Sequence, residues 1–456
     1  MRITVRTRTF GVFVQEQINL GDRLYLTGAV RGDDNSAFGK NFDFVVYPKL
    51  SGSYVISDES FFEESVGFIQ QLKLRAAWGQ AGRQPDVFDA LRTYEPSVGP
   101  GGASTVTPEN IGNEDLKPEV GTEVEIGFDA SVLDDRVGLE FTWYDQTTND
   151  AIVSVPALPS NGFPGVQFQN IGQVKNSGIE IGLNANVFTS DAFSLDLGGT
   201  FSTTNNEITD LGGEPAVLES STLGQYHALG QPLSAIYMKR VVSADLSDGA
   251  VSNVMCEGGT ILESGQSAGI SAGGGAPVPC ADAPNVYWGQ PIPNKEGSAF
   301  ATLSIGQNLQ LYAMVDYVGG RTLVSGDIAA QHRFFINSRA ILERTDPILL
   351  GYETLGGIGL WQPGIIDGDF AKLRVVSANY TFPDSWAERL NASRVTLNVA
   401  ANNLATLWVG QAEGFGVKQM DPEVAQQTGT TRGLTAYNQE GWPQLRTITT
   451  TFRLTF

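Results

Sequence analysis

The final thirteen residues, 444–456, constrain the fold more than any other stretch of this chain. Ile448, Thr450, Phe452, Leu454 and Phe456 fall on one face, and Thr447, Thr449, Thr451, Arg453 and Thr455 on the other. Strict alternation of this kind makes a strand with one apolar and one polar face, because successive side chains point to opposite sides of a sheet. The chain then stops on an aromatic residue. A soluble protein gains little from a bare terminal Phe, whereas a barrel inserted into an outer membrane often ends this way.

The same alternation recurs. Val124, Ile126, Phe128 and Ala130 are interleaved with Glu123, Glu125, Gly127 and Asp129. Val137, Leu139, Phe141 and Trp143 follow the rule, as do Ile179 to Val187, Phe193 to Phe201, and Val395 to Ala401. One alternating strand fits a soluble sandwich equally well. Carboxylates and amides placed repeatedly in mid-strand on a single face tip the balance. They describe a wet lumen backed by an apolar outer band with aromatic girdles. The expected fold is therefore all-β, a transmembrane antiparallel β-barrel.

Composition agrees. Mean hydropathy is −0.09, and no run of eighteen apolar residues exists, so helical spanning is excluded. The net charge of −21 argues against a nucleic-acid partner. Short connections at 133–135, 189–192 and 306–308 alternate with long ones near 80–116, 149–169, 205–296, 319–368 and 405–443, as expected of periplasmic turns and outer loops. No linker divides the chain, so it reads as one barrel portion over 1–456.

Thirteen strands are expected, near 3–15, 22–31, 42–56, 67–79, 117–131, 136–148, 170–188, 193–204, 297–306, 309–319, 369–382, 393–404 and 444–456. The portion is expected to hold about 13–14 strands, and a further hairpin around Gly230–Val242 would change the count by two. Single-chain bacterial barrels have even strand numbers. Together with Met1-Arg2-Ile3-Thr4-Val5, which reads as the inside of a strand, and no signal segment, this makes the chain the expected C-terminal part of a larger protein, or a reading frame begun late.

Asn113-Glu114-Asp115-Leu116-Lys117-Pro118-Glu119 resembles the N-x-x-L-K-P-E segment that opens a strand in TonB-dependent outer-membrane receptors. Asn170-Ile171-Gly172-Gln173-Val174-Lys175-Asn176-Ser177-Gly178-Ile179-Glu180 is similar to another strand of those receptors, in the form of the RagA/SusC-like branch. Gly368-Asp369-Phe370-Ala371-Lys372-Leu373-Arg374, Tyr380-Thr381-Phe382-Pro383 and Asn402-Asn403-Leu404 match that branch in order and spacing, and Phe456 completes the set. The resemblance implies a barrel of about 22 strands with an N-terminal plug. The plug, the TonB box and the earliest strands would precede this chain. It also implies energy-coupled import of oligosaccharides or peptides across the bacterial outer membrane, with TonB, membrane lipid and a SusD-like surface lipoprotein as partners.

The motifs themselves read as architecture. Lys117-Pro118 sets an extended start to a strand, since Pro locks φ and disfavours helix in the residue before it. Asn176-Ser177-Gly178 suits a bend or bulge. Cys256 and Cys280, the only cysteines, are expected to staple the longest loop in an oxidising compartment. His227 and His332 stand alone, so no metal is expected, and the acidic turns Asp33-Asp34-Asn35 and Asp367-Gly368-Asp369 read as solvated rather than calcium-binding. Glu123 and Glu125 have the look of a glycosidase pair but lie on one strand face, where they line a lumen. No nucleophile motif is present, no cofactor is implied, and no enzyme is expected. Loop aromatics Tyr287, Trp288, Trp361, Trp408 and Phe415 are the expected substrate contacts, with Trp442 placed in the girdle. A passive pore or adhesin barrel, and a soluble secreted β-protein, are the alternative readings.

Overall fold

A computed structural model describes residues 6–456 except 42–43, 64–65, 158–159, 161, 164–165, 214–215, 221–222, 263–268, 334–337, 356–360, 412, 419–420, 424–436 and 439–442. The first five residues, expected to lie in a strand, and Trp442 fall outside the described set.

Thirteen strands form one antiparallel sheet in strict sequence order. They are β1 (Thr9–Leu20), β2 (Leu24–Asn35), β3 (Val45–Val55), β4 (Ile69–Arg83), β5 (Glu119–Val132), β6 (Val137–Pro156) and β7 (Val166–Thr189). There follow β8 (Phe193–Leu211), β9 (Lys295–Ile305), β10 (Leu309–Gly319), β11 (Phe370–Thr381), β12 (Arg394–Val409) and β13 (Thr447–Thr455). The expected all-β wall is present. The first hairpin differs from expectation: its turn is Gly21-Asp22-Arg23, with Gly21 and Asp22 at φ 62° and 58°, so the polar run Gln15-Glu16-Gln17 belongs inside β1. β6, β7 and β8 also run further past the wall than expected, which shortens the connection between β6 and β7. The hairpin near Gly230–Val242 joins a small loop sheet and not the wall.

Short connections gather at one end of the sheet, and the long ones (84–118, 212–294, 320–369 and 410–446) at the other. No described helix is long and apolar enough to cross a membrane. One face carries Leu303, Leu311, Ala313, Val376, Val399 and Ala401 in a contiguous apolar patch. The opposite face carries Glu140, Thr142, Glu180, Ser202, Glu296, Ser298 and Asp316. Arg75 of β4 and Asp316 of β10 line the same cavity on that polar face. With neighbouring strands about 4.8 Å apart, two residues separated by five intervening strands share a cavity only if the sheet curls around its polar side. The polar face is therefore the concave, lumenal one.

Above the wall the long connections build their own cores. Strands 216–220, 225–228, 235–238, 270–271 and 285–289 form one sheet, and 241–247, 250–258 and 275–279 another. Pro347–Thr354, a helix capped by Asp346 accepting from Ile348 N and Leu349 N, packs Leu349, Leu350 and Tyr352 against them.

Candidate functional site

The lumenal wall and the loops resting on it make the candidate site, and the family-like segments sit at its joints. Asn113, in the 84–118 connection, and Asn170, in β7, each bond the backbone of the other's segment. Asn170 Nδ2 donates to the carbonyls of Lys117 and Asp150, both at 2.8 Å, and its Oδ1 accepts from Lys117 N at 2.9 Å. Asn113 Nδ2 donates to Phe168 O at 2.9 Å. Leu116 is fully buried, Lys117 Nζ pairs with Asp150 at 2.9 Å, and Glu119 accepts from Ile152 N at 2.8 Å. Pro118, with no N–H of its own, leads into β5 between these clasps. An amide side chain satisfies three backbone groups that no ladder could reach. We expect Asn170→Ala to cost about 1–3 kcal/mol locally, read as faster hydrogen exchange at the Lys117 amide with β5 unchanged.

Lower on the wall, Asn176 donates to Gln146 at 3.3 Å and accepts from Asn206 at 2.6 Å. Gly178 runs so close to β8 that a Cβ there would enter the Thr203 carbonyl, and Gly172 packs its Cα on Ala151 and Val153. Glu180 points into the lumen beside Glu140 and Glu296. At the short-turn end, Tyr380, Phe382, Trp386 and Phe452 form an edge-and-tilted aromatic cluster, and Pro383 caps the helix Asp384–Arg389. Phe456 is 82% exposed on this rim.

Phe370, Leu373, Arg374, Asn403 and Leu404 converge. Leu373 pairs with Val315 and Ala405, and Val375 with Met314 and Asn402, which leaves Arg374 as an extra residue opposite Asn403-Leu404. Asn403 takes φ 53° there. Bulges of this kind re-aim a side chain, and the guanidinium of Arg374 turns into the lumen. It meets Asp316 at 2.5 Å, Glu423 at 2.5 and 2.8 Å, and Asn403 Oδ1 at 3.4 Å. Lys372, 4% exposed, pairs with Asp421 at 2.6 Å and Glu423 at 2.7 Å. Arg321 donates to Pro422 O at 2.5 Å and lies over the Phe370 ring with its centroid 5.3 Å away. The 410–446 connection thus places Asp421-Pro422-Glu423 against the inner wall. Lys372, Asp421, Glu423 and Arg321 were not singled out from sequence. The i, i+2 spacing of Lys372 and Arg374 announces a shared strand face, but nothing local links them to a carboxylate pair some fifty positions on.

Burial tends to raise the Glu423 carboxyl, but hydrogen bonds from Arg374 and Lys372 overcome this and hold it below its ordinary value of 4.5. A depressed pKa contributes docking stability that is whole above the ordinary value and is lost as pH falls through the lowered one. An environment-sensitive dye at Lys418→Cys should keep one emission from about pH 8 to about pH 5 and shift only below about pH 4.

The expected aromatic contacts are not brought together. Trp361 is buried among Leu223, Ile236, Met238, Val324 and Ile365, and Phe415 packs edge-on against His332 and Tyr352. Both are consumed by loop packing. Trp408 stacks on Tyr317 across Ala371, on the face opposite Lys372, which is the apolar side. Only Tyr287 and Trp288 line an open cleft, of about 480 Å³, shared with Arg321, Asp367 and Gln411. Trp288 also donates to Met238 O and carries Arg240 at 4.3 Å over its ring.

Cys256 and Cys280 are bonded to one another inside a core with Val241, Ala283 and Tyr352. His227 lies 3.6 Å from Glu219 and His332 bonds Ser338 and Gly414 O; burial pushes both imidazoles below their ordinary value. Asp33-Asp34-Asn35, expected as a turn, is the end of β2, paired with β1, and Asp33 is ion-paired to Arg31; in the second acidic segment Asp367 accepts from Asp369 N. No group of three or more metal-ligating side chains occurs among the described residues.

A family model described as "TonB dependent receptor-like, beta-barrel" matches residues 2–235, more than half of the chain. The chain belongs to the TonB-dependent receptor β-barrel family. This family's barrels reside in the bacterial outer membrane, which accounts for the apolar outward face. TonB-dependent receptor SusC of Bacteroides thetaiotaomicron is 29% identical over 257 residues, covering 52% of this chain and 25% of SusC. TonB-dependent receptor P3 of Formosa agariphila is 22% identical over 428 residues, covering 88% of this chain and 41% of that receptor. The solved RagAB peptide transporter superposes with a TM-score of 0.78 at 19% identity, over 99% of this chain and 48% of that one. The chain thus spans less than half the length of these TonB-dependent receptors.

Proposed function

We propose that this chain forms the loop-bearing wall of a SusC/RagA-like transporter that imports oligosaccharides or peptides across the outer membrane. Energy would come from the TonB complex acting on a plug carried elsewhere in the protein, and a SusD-like surface lipoprotein would cover the outer loops. The observation that carries this reading is a polar concave wall whose long connections fold at one end, with one of them, 410–446, reaching back onto the inner face. RagAB, which shares the fold, is a peptide transporter. No catalytic role is assigned: the lumenal carboxylates are spread along strands, and two serines that meet a base, Ser338 at His332 and Ser234 at Glu219, are buried in loop packing.

Uptake of labelled oligosaccharides and labelled peptides by cells with and without the gene tests the proposal. One of the two classes should accumulate in a gene-dependent way and stop when a protonophore collapses the membrane gradient. Gene-dependent uptake that ignores the protonophore would replace the proposal with a passive pore.

A further inference from the structure

The cluster at Arg374 has the construction of a receptor for carboxylates. Arg374 presents its guanidinium fork to both oxygens of Glu423, at 2.8 Å and 2.5 Å, while Lys372 reaches the same carboxylate at 2.7 Å and Asp421 at 2.6 Å. A fork meeting two oxygens in parallel is the geometry by which arginine selects carboxylates over other acceptors. The bulge at Arg374 and the left-handed Asn403 aim that fork into the lumen.

Charge balance shows what the site requires. Lys372 and Arg374 are faced by Asp316, Asp421 and Glu423, while Arg321 bonds the Pro422 carbonyl and has Asp369 as its foremost acidic neighbour. Were the 421–423 segment to withdraw, Asp316 alone would remain paired with the basic pair, and Lys372, 4% exposed, would lose both of its carboxylates. The vacated position is a recess with two cations and one remaining carboxylate, which favours an incoming anion on a wall whose neighbouring surface, with Glu140, Glu180 and Glu296, is otherwise acidic.

We propose that Lys372 and Arg374 form a carboxylate-binding site in the lumen, which Glu423 and Asp421 fill as a built-in stand-in for a solute. A ligand bearing carboxylates, from acidic side chains of a peptide or from uronic acids of an oligosaccharide, takes the site when the segment leaves. This rests on the reading of the polar face as the wall of an import passage, but the test is equilibrium binding and does not depend on transport.

A site occupied in cis weakens the apparent affinity of a free ligand by the inverse of the vacant fraction. The full-length protein is purified in detergent as wild type, D421N/E423Q and D421N/E423Q/R374Q, and each is titrated with tetraglutamate, tetragalacturonate and uncharged maltotetraose. Retention of heat-modifiable mobility confirms that each variant keeps its barrel. The double variant should bind one acidic probe about tenfold or more tighter than wild type, and R374Q should remove the gain. Gain with tetraglutamate alone assigns a peptide ligand, and gain with tetragalacturonate alone a uronate. Unchanged affinity for both acids, or an equal gain for maltotetraose, overturns the proposal.

Discussion

Lys372→Met is expected to release the 421–423 segment from the inner wall at a cost of about 3–5 kcal/mol to its docking, the penalty for removing one partner of a buried charge pair. The lysine is 4% exposed, and its ammonium meets Asp421 at 2.6 Å and Glu423 at 2.7 Å. Methionine keeps the volume and deletes the charge. Arg374 would still grip Glu423, but Asp421 would lose its buried ammonium. Partial proteolysis of the 410–446 connection, followed against denaturant concentration, reports the change directly. The cleavage midpoint should fall sharply in Lys372→Met and only slightly in Lys40→Met, whose pairing with Glu114 is solvent-exposed on both sides. Equal midpoints for wild type and Lys372→Met would show that the segment is held by something other than charge.

Replacing Cys256 and Cys280 together with serine is the second large effect. The bond closes a loop with a sequence separation of 24, for which chain entropy gives about 3 kcal/mol. Both residues are buried against Val241, Ala283 and Tyr352, whose phenol burial pushes up to about 12. Two hydroxyls would then occupy an apolar core. Hydrogen exchange in 241–258 and 275–279 should accelerate about a hundredfold, while β9 and β10, held by their own ladder, stay protected. Uniform acceleration across the wall would mean that the outer loops and the barrel unfold as one unit.

The wall was largely legible in the sequence because alternation reports directly on a sheet with one wet and one greasy face. Residues 309–319 were placed to the residue, since Gly306-Gln307-Asn308 and the periodicity agree there. Periodicity weakened where both faces turn polar: Gln15-Glu16-Gln17 resembles a turn, and β6, β7 and β8 carry amides on both faces, at Gln146 and Asn149, Gln169 and Asn170, and Asn205 and Asn206. Loop aromatics were misjudged for another reason. Trp361 and Phe415 look like stacking surfaces when the loop is imagined as bare coil, but the connections fold into sheets and helices that need cores of their own. The Lys372–Glu423 contact joins a wall strand to a distant loop, and no local signal encodes that.

Because every long connection springs from the same rim, the molecule separates what can vary from what cannot. A residue inserted at 306–308 must preserve the pairing of β9 with β10, whereas the connections at the other rim carry strands, helices and a disulfide of their own and answer to no register in the wall. Those connections can therefore change in length without shifting the pairing of the embedded strands. The boundary of that freedom runs through Asn170 and Arg374, where decoration is fastened to wall.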